Sequence, residues 1–182
     1  MDIKQALQNV QLFQAIVPKS FAVYGTCLGF RRDGDIILHD LDTDMGIMAH
    51  DFNYNILEDL QRAGFKITKI FGMPSCGMEI AFKKDGIKTD LMLFYKHDNL
   101  LFNCLWDNGG ENGLSDMIVH SYDPALLKSF ETTKGVRHLS RDYIESVYGP
   151  EWRTPTSPWN WRTDHKCINK YLKQLILKKY GQ

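Results

Sequence analysis

The sequence predicts an α/β or α+β domain in which helices pack on a mixed β-sheet, followed by a helical C-terminal part. Helix-like and strand-like apolar patterns follow one another as far as Trp106. Two of the apolar runs flank Lys84-Asp85-Gly86, which is typical of a β-hairpin turn. The chain has 182 residues, of which 43% are hydrophobic and 24% charged, so residues 1–182 are expected to form one globular domain.

The helices are predicted from apolar residues that recur at helical spacing and from residues that favour helix ends. The first helix should stop at Val17-Pro18, and the second should begin near Thr26 as its N-cap. Gly64 should close the third, and Ser140 should cap the fourth. The predicted helices cover residues 3–14, 26–32, 52–63, 140–148 and 168–180.

The strands are predicted from short apolar runs and from alternating apolar and polar residues that are bounded by turn residues. The turn sequence Arg32-Asp33-Gly34-Asp35 precedes the longest of these runs. The segment 107–116 contains three glycines and is expected to be a loop. The predicted strands cover residues 21–24, 36–48, 65–71, 78–82, 87–95 and 100–106.

Composition argues against several classes of protein. The 22 basic and 22 acidic residues leave no net charge, so no electrostatic attraction to long nucleic acid is expected. No apolar run approaches the roughly 20 residues of a membrane span, and the N-terminus does not resemble a signal peptide. Four scattered cysteines without CxxC spacing favour free thiols over a zinc cluster or a disulfide framework. A soluble, cytoplasmic protein is therefore expected.

Asp40, Asp42 and Asp44 alternate in the predicted strand 36–48, so their carboxylates should lie on one face. Neighbours would be roughly 6.6 Å apart at about 3.3 Å per residue, and like charges at that distance repel each other. A hard divalent cation such as Mg²⁺ relieves this repulsion and prefers oxygen ligands. The alternative is a solvated polar strand face. The upstream glycines and the apolar alternate positions favour the metal site, and with it phosphoryl chemistry.

Asp90 offers a carboxylate from a second strand. It lies in the otherwise apolar run 87–95, where a lone aspartate is costly to bury unless it is paired or bound to metal. A two-metal site needs carboxylates from more than one strand, because one strand edge cannot surround a cation, so Asp90 joins the predicted site. The alternative is an aspartate that accepts hydrogen bonds from a helix cap or an arginine.

Three stretches resemble a known family. The segment YGTCLGFRRDGDIILHDLDTDMGI is similar to the signature of the LicD-type phosphotransferases, the family that includes fukutin and fukutin-related protein. TDLMLFY resembles the later aspartate strand of that family, and YIESVYGPEWRTP resembles its Tyr-Gly-x-x-Trp-x-x-Pro element. Cys27, Leu38 and His39 depart from the pattern without altering the carboxylates. The resemblance spans about residues 20–160, and its first block matches at Gly25, Thr26, Leu28, Gly29, Arg32, Asp40, Asp42 and Asp44.

The resemblance implies the nucleotidyltransferase fold and a transfer reaction. Characterised members of the family move a phospho-alcohol, such as phosphocholine or ribitol phosphate, from a CDP-activated donor to a sugar hydroxyl of a glycan. A CDP-alcohol donor, a saccharide acceptor and a Mg²⁺ or Mn²⁺ cofactor are therefore expected. The resemblance makes Asp42, Asp44 and Asp90 the catalytic metal ligands, with Asp90 also able to help deprotonate the attacking hydroxyl. The substrate-binding residues that it implies are Gly25, Thr26, Gly29, Arg32 and Asp40.

Two other functions are open at this point. A nucleotidyltransferase that attaches NMP from an NTP to a small molecule, protein or RNA shares the fold, but commonly lacks the Gly29-x-x-Arg32 block. A non-catalytic binding or antitoxin-like module keeps the fold without catalysis, although all expected carboxylates are present here. For Arg32, an ion pair with Asp33 or Asp35 is the alternative to phosphate binding. The Trp-rich segment 152–161 is predicted to pack under the last helix, with contact to a sugar or base as the alternative.

Overall fold

The computed structural model describes residues 1–156 and 158–181, and within these ranges the chain forms six helices and nine strands. Short 3₁₀ turns join several of them. The helices are α1 (Ile3–Ile16), α2 (Tyr24–Arg32), α3 (Asn55–Arg62), α4 (Arg141–Tyr148), α5 (Trp161–Asp164) and α6 (Lys170–Tyr180). The strands are β1 (Phe21–Ala22), β2 (Asp42–Met48), β3 (Lys66–Met73), β4 (Cys76–Lys84), β5 (Ile87–His97), β6 (Leu100–Trp106), β7 (Met117–Tyr122), β8 (Phe130–Thr133) and β9 (Val136–Leu139).

The strands form a mixed sheet, which confirms the predicted fold class. Its order is β3-β4-β5-β2-β1-β9-β8, and β6 and β7 continue it from the C-terminal end of β5. β2 runs parallel to β5, and β1 runs parallel to β9. The other neighbouring strands are antiparallel, including the predicted β4–β5 hairpin. The parallel β2–β5 pair therefore lies in the middle of the sheet.

One face of this central pair belongs to a core that it shares with α1 and α3. Met45 and Ile47 of β2 and Leu91 and Leu93 of β5 are fully or almost fully buried there. Phe13 of α1 belongs to the same core and packs edge-on against two other phenylalanine rings. Burial of each such large apolar side chain stabilises the fold by roughly 1.5–3 kcal/mol.

The opposite face carries a second core, built with α2 and α4, and also the acidic residues. Met92 and Phe94 of β5 pack in this second core. Because successive strand residues point to opposite faces, Asp90 lies on the same face as these two residues. Asp42 and Asp44 of β2 lie there as well, since the alternate positions of that strand enter the first core.

The helix ends follow from local hydrogen bonds. The Asp2 carboxylate accepts a hydrogen bond from the Gln5 amide at the start of α1, and the Asn169 side chain does the same for Leu172 in α6. α4 ends at Gly149, whose φ of +85° suits glycine. None of the helices in the described ranges combines the length and apolar character that a bilayer crossing requires.

The strand that carries the aspartates is shorter than the sequence predicts. β2 begins at Asp42, and Asp40 lies in the turn before it, so the placement of Asp40 in the strand was wrong. The apolar residues before it do not continue the sheet. α2 also begins two residues earlier than predicted, after Val23, and Thr26 therefore lies within its first turn and not at its cap.

The C-terminal part contains more sheet than predicted. β7, β8 and β9 all fall in a region that was expected to be helical or irregular. The last two have only four residues each, so they carry little strand signal, but Lys134 and Gly135 between them have φ values of +50° and +78°. This is the backbone of a tight hairpin turn. In α6, Leu172 and Ile176 are buried as predicted, whereas Tyr171 is 74% exposed.

Phe13→Ala should destabilise the protein by about 3–5 kcal/mol, because it leaves a cavity between α1, Phe65 and Phe82. Urea denaturation followed by circular dichroism would measure the loss. The neighbouring Leu12 is half exposed, so Leu12→Ala is the matched control and should change the free energy of unfolding much less. Equal losses in the two variants would contradict the docking of α1 described above.

Candidate active site

Two aspartates from different strands stand side by side at the centre of the sheet. In the parallel β2–β5 register, Asp44 is the direct partner of Asp90, and Asp42 is the partner of Lys88. Asp90 is only 4% exposed, and its Oδ1 atom has no hydrogen-bond partner among the described residues. The structure thus brings together the three carboxylates, Asp42, Asp44 and Asp90, that the sequence predicts as metal ligands.

Burial and mutual repulsion raise the pKa values of Asp40, Asp44 and Asp90. The pKa of Asp44 lies well above its usual value because the side chain is buried, with further contributions from Asp42, Asp90 and Asp40. Burial also raises the pKa of Asp90 to about 6, although Lys88 opposes the shift. The pKa of Asp40 rises to about 6, again chiefly through burial and then through Asp42. Ionisation of all these carboxyl groups at once is therefore unfavourable in the absence of a cation.

Lys88 supplies the positive charge nearest to these carboxylates. Its Nζ atom lies 2.6 Å from Asp90 Oδ2 and 3.7 Å from Asp42 Oδ2. Burial works against the charged ammonium, but Asp90 and Asp42 outweigh it and raise the pKa of Lys88. In the part of the chain that the structure describes, no three His, Cys, Asp or Glu side chains stand in a metal-coordinating arrangement. The Lys88 ammonium lies between the carboxylates of Asp42 and Asp90, which would have to come closer together to bind one cation.

The first turn of α2 is fixed to the strand that carries Asp44. The Asp44 amide donates a hydrogen bond of 2.7 Å to Thr26 Oγ1, and the Val23 amide donates one of 3.1 Å to the Asp44 carbonyl. A Cβ atom on Gly25 would lie 2.6 Å from Asp40 Oδ2 and 3.6 Å from Asp44 Oδ2. Only glycine lets the backbone of this turn approach the carboxylates without moving Asp40.

Gly29 and Arg32, two of the predicted substrate-binding residues, have structural contacts as well. A Cβ atom on Gly29 would lie 2.5 Å from the Asp35 carbonyl oxygen, so this glycine allows close packing of α2 on the following turn. Arg32 donates two hydrogen bonds of 2.9 Å to Asp33, which is the ion pair considered as its alternative role. Arg32 lines the large cavity described below, whereas Thr26 and Gly29 do not.

Tyr24 holds the same turn from the other side. It is a bulky residue with a φ of +41°, a conformation that costs about 1–3 kcal/mol and persists only where the surroundings impose it. Its buried hydroxyl contacts Asn103 Oδ1 at 2.9 Å, His120 Nδ1 at 2.7 Å and the Tyr122 hydroxyl at 2.8 Å. Its ring stacks on His165 with centroids 5.3 Å apart. β6 and β7 therefore anchor the residue that precedes Gly25.

The carboxylates open into a cavity of about 890 Å³. Gly25, Leu28 and Arg32 of α2 line one side of it, and Met92, Leu105 and Trp106 line the sheet side. The remaining wall, which we call the roof, comes from residues in the ranges 148–156 and 158–166. The roof residues that line the cavity are Tyr148, Glu151, Trp152, Thr154, Pro155, Thr156, Trp159, Trp161, His165 and Lys166.

The roof corrects the prediction for the Trp-rich segment. Trp152 and Trp161 join the second core with α2 and α4, and that core contains no α6 side chain among the described residues. The predicted packing under the last helix is therefore wrong. Trp159 is 36% exposed and its ring packs against Tyr148 and His165. The segment that the sequence shows only as rich in proline and tryptophan instead encloses the carboxylates.

Glu79 is a cavity residue that the sequence reasoning missed. It lies on β4, is 7% exposed, and its Oε2 atom has no hydrogen-bond partner among the described residues. Burial, followed by the charge of Asp90, raises its pKa to about 8. The signal was present, because Glu79 is a lone acid in the apolar run 78–82, as Asp90 is in its own strand. His165, Tyr148 and Lys88 had no comparable signal.

Tyr24→Phe should destabilise the protein by about 1–3 kcal/mol, because it leaves the buried His120 Nδ1 without its hydrogen-bond partner. Asn103 and Tyr122 keep the 3.0 Å hydrogen bond that joins them. The free energy of unfolding from urea titration measures the effect. Tyr54→Phe, at an exposed tyrosine, is the matched control. An equal effect in both variants would argue against an anchoring role for the Tyr24 hydroxyl.

Asp44→Asn should stabilise the protein by an amount that grows with pH. The folded pKa of Asp44 is raised, so the folded state binds this proton more tightly than the unfolded chain does. As pH rises above about 4, the usual pKa of an aspartate, the wild type must ionise a buried carboxyl that the asparagine variant lacks. Melting temperatures in EDTA between about pH 4 and 8 would measure the widening gap.

Asp59→Asn is the control for this titration, because Asp59 is exposed and forms only a surface ion pair with Arg62. Its difference from the wild type should stay small across the range. A gap for Asp44→Asn that is constant or narrows as pH rises would show that the Asp44 carboxyl is not destabilised by ionisation.

Comparison with known proteins identifies the family of this chain. The family model described as LicD/FKTN/FKRP, nucleotidyltransferase domain, matches residues 19–133. Ribitol-5-phosphate transferase FKTN of Homo sapiens and that of Macaca fascicularis are each 29% identical to the chain over 142 residues. Each of these alignments covers 76% of this chain and 30% of the relative.

An uncharacterized protein of Caenorhabditis elegans is 38% identical over 160 residues, which cover 80% of this chain and 41% of that protein. The chain thus spans less than half the length of each of these relatives. The family match covers more than half of the chain and includes Asp42, Asp44 and Asp90. The protein therefore belongs to the LicD/FKTN/FKRP family.

Proposed function

We propose that the protein is a metal-dependent phosphotransferase that moves a phospho-alcohol from a CDP-activated donor to a sugar hydroxyl. The observation that carries the proposal is the pair Asp44 and Asp90, side by side on parallel strands at the wall of a cavity of about 890 Å³. Membership of the LicD/FKTN/FKRP family and the relatives named ribitol-5-phosphate transferase support a reaction of this class.

The residues present fit a divalent cation. Asp90 Oδ1 is buried without a hydrogen-bond partner in the described part of the chain, and the Lys88 ammonium already acts as a cation between Asp90 and Asp42. Oxygen donors of this kind suit Mg²⁺ or Mn²⁺. Asp42, Asp44 and Asp90 would hold the ion. Bound there, it would neutralise the diphosphate of the donor and the charge that develops on the leaving CMP.

The surrounding residues contribute positioning. The amides in the first turn of α2 carry the positive end of the helix dipole, which favours a phosphate on this side of the cavity. Arg32 lines the same side of the cavity. Its guanidinium now pairs with Asp33, and a change of rotamer would let it bind a phosphate instead. Asp90, whose carboxyl is buried at the cavity wall, would also accept the proton of the attacking hydroxyl.

We further propose that the protein works in a reducing compartment such as the cytoplasm. Cys27, Cys76, Cys104 and Cys167 are free thiols and all are buried. Proteins of oxidising compartments commonly use such residues in disulfides, and none is formed among the residues that the structure describes.

The full chain with MgCl₂ should release CMP from at least one of CDP-ribitol, CDP-choline and CDP-glycerol, with chromatography of the nucleotide as the measurement. Asp42→Asn and Asp44→Asn should each lower this rate at least about 100-fold, because each removes a cation ligand while leaving the fold intact. The cation should also raise the melting temperature of the wild type when CDP is present.

Asp59→Asn serves as the activity control, since its exposed carboxylate lies outside the cavity. Release of pyrophosphate from CTP or ATP, without CMP release from the CDP-alcohols, would favour the nucleotidyltransferase alternative. If the protein shows neither activity and its melting temperature does not respond to Mg²⁺ or Mn²⁺, a non-catalytic module would be favoured. Full activity in both aspartate variants would contradict the assignment of the site.

A further inference from the structure

Glu79 is a buried carboxylate that the proposed reaction leaves without a role. It lines the cavity, is more than nine-tenths buried, and its Oε2 atom has no hydrogen-bond partner among the described residues. A buried polar atom that makes no hydrogen bond is costly to the fold. Such an atom at the wall of an open cavity is well suited to accept a hydrogen bond from a ligand.

The sheet register separates Glu79 from the cation ligands. On β4, Ala81 is the direct neighbour of Asp90, whereas Glu79 is the neighbour of Met92. Glu79 is thus on the same face as Asp90 but diagonal to it, a relation that places Cα atoms about 7–8 Å apart. Asp44 lies on the opposite side of Asp90, on β2. Glu79 is therefore two strands away from Asp44.

The surroundings of Glu79 are apolar and rigid. Met92, Leu105 and Trp106 line the cavity on the same side. The Trp106 ring stacks on Phe71 with centroids 6.0 Å apart, and its indole N–H donates a hydrogen bond of 2.9 Å to the Gly77 carbonyl. Since that N–H is already satisfied, Trp106 offers a ligand only apolar surface. An apolar wall with one hydrogen-bond acceptor suits the ring of a sugar, which has apolar C–H faces and hydroxyl groups at its edge.

The two sides of the cavity differ in charge. The α2 side offers backbone amides and Arg32, which suit phosphate groups, whereas the β4–β6 side offers apolar side chains and the buried Glu79 carboxyl group, which do not. The carboxylates Asp42, Asp44 and Asp90 lie between the two. A phosphorylated donor and an uncharged acceptor would therefore approach the reacting phosphate from opposite sides.

We propose that Glu79 and Trp106 form the acceptor subsite, where the Glu79 carboxylate accepts a hydrogen bond from a saccharide hydroxyl. The subsite rests on the proposed function for its place in the reaction, but saccharide binding can be measured without turnover. Glu79 is a binding residue in this scheme and takes no part in holding the cation.

The test is saturation-transfer NMR on the full chain, titrated with the methyl glycosides of galactose, glucose and N-acetylgalactosamine. At least one glycoside should bind the wild type, and Glu79→Gln should weaken that binding at least tenfold. Glu79→Ala should weaken it at least as much. Glu58→Gln is the matched control, because Glu58 is exposed and pairs only with Arg62 on the surface of α3. Circular dichroism checks that each variant is folded.

A second measurement distinguishes a saccharide-binding role of Glu79 from a cation-binding role. It also distinguishes failure of this proposal from failure of the proposed function. The rise in melting temperature with MnCl₂ should persist in Glu79→Gln, and its loss would make Glu79 a cation ligand and overturn the proposal. Absence of glycoside binding in the wild type, or equal binding by wild type and Glu79→Gln, would overturn it as well. Failure of every CDP-alcohol to release CMP would count against the proposed function and leave the binding result standing.

Discussion

The crowding of negative charge on one face of the parallel β2–β5 pair is the constraint on which the rest of the structure depends. The chain as a whole carries no net charge, yet Asp40, Asp42, Asp44 and Asp90 all line the same cavity. Burial and repulsion raise the pKa values of three of them, so the fold stores unfavourable electrostatic energy there. Proteins tolerate such an arrangement where it serves binding or catalysis, and Lys88 relieves only part of it.

The remainder of the molecule can be understood as the support for that unfavourable arrangement. One core, shared with α1 and α3, stabilises the sheet from the face away from the acids. On the acidic face, the Asp44 peptide is hydrogen-bonded to the first turn of α2, and Tyr24 is held in a strained backbone conformation by side chains of β6 and β7. These contacts are buried and directional, so they fix the carboxylates and the α2 amides relative to each other.

Sequence reasoning reached the centre of the site because it depends on simple periodicities. Alternation along a strand predicts that Asp42 and Asp44 share a face, and the cost of a lone buried acid singles out Asp90. The same arguments wrongly placed Asp40 in the strand, because β2 begins only at Asp42. They also missed β8 and β9, because four-residue strands carry little pattern. The pairing of Lys88 with Asp42 and the position of Glu79 beside Met92 are products of sheet register, which hydrophobic pattern alone does not reveal. The roof was misplaced because a loop rich in proline and tryptophan has no period from which to infer its neighbours.

The sheet side of the cavity and its roof also come from different parts of the chain. The stretch that the family model matches, residues 19–133, contains Asp40, Asp42, Asp44, Glu79 and Asp90, whereas the roof residues lie beyond it. The proposed cation ligands and the proposed acceptor subsite thus share the matched stretch, whereas the roof comes from a separate part of the polypeptide. Divergence confined to the aromatic roof would reshape one wall of the cavity while Asp42, Asp44 and Asp90 on the facing sheet remained as they are.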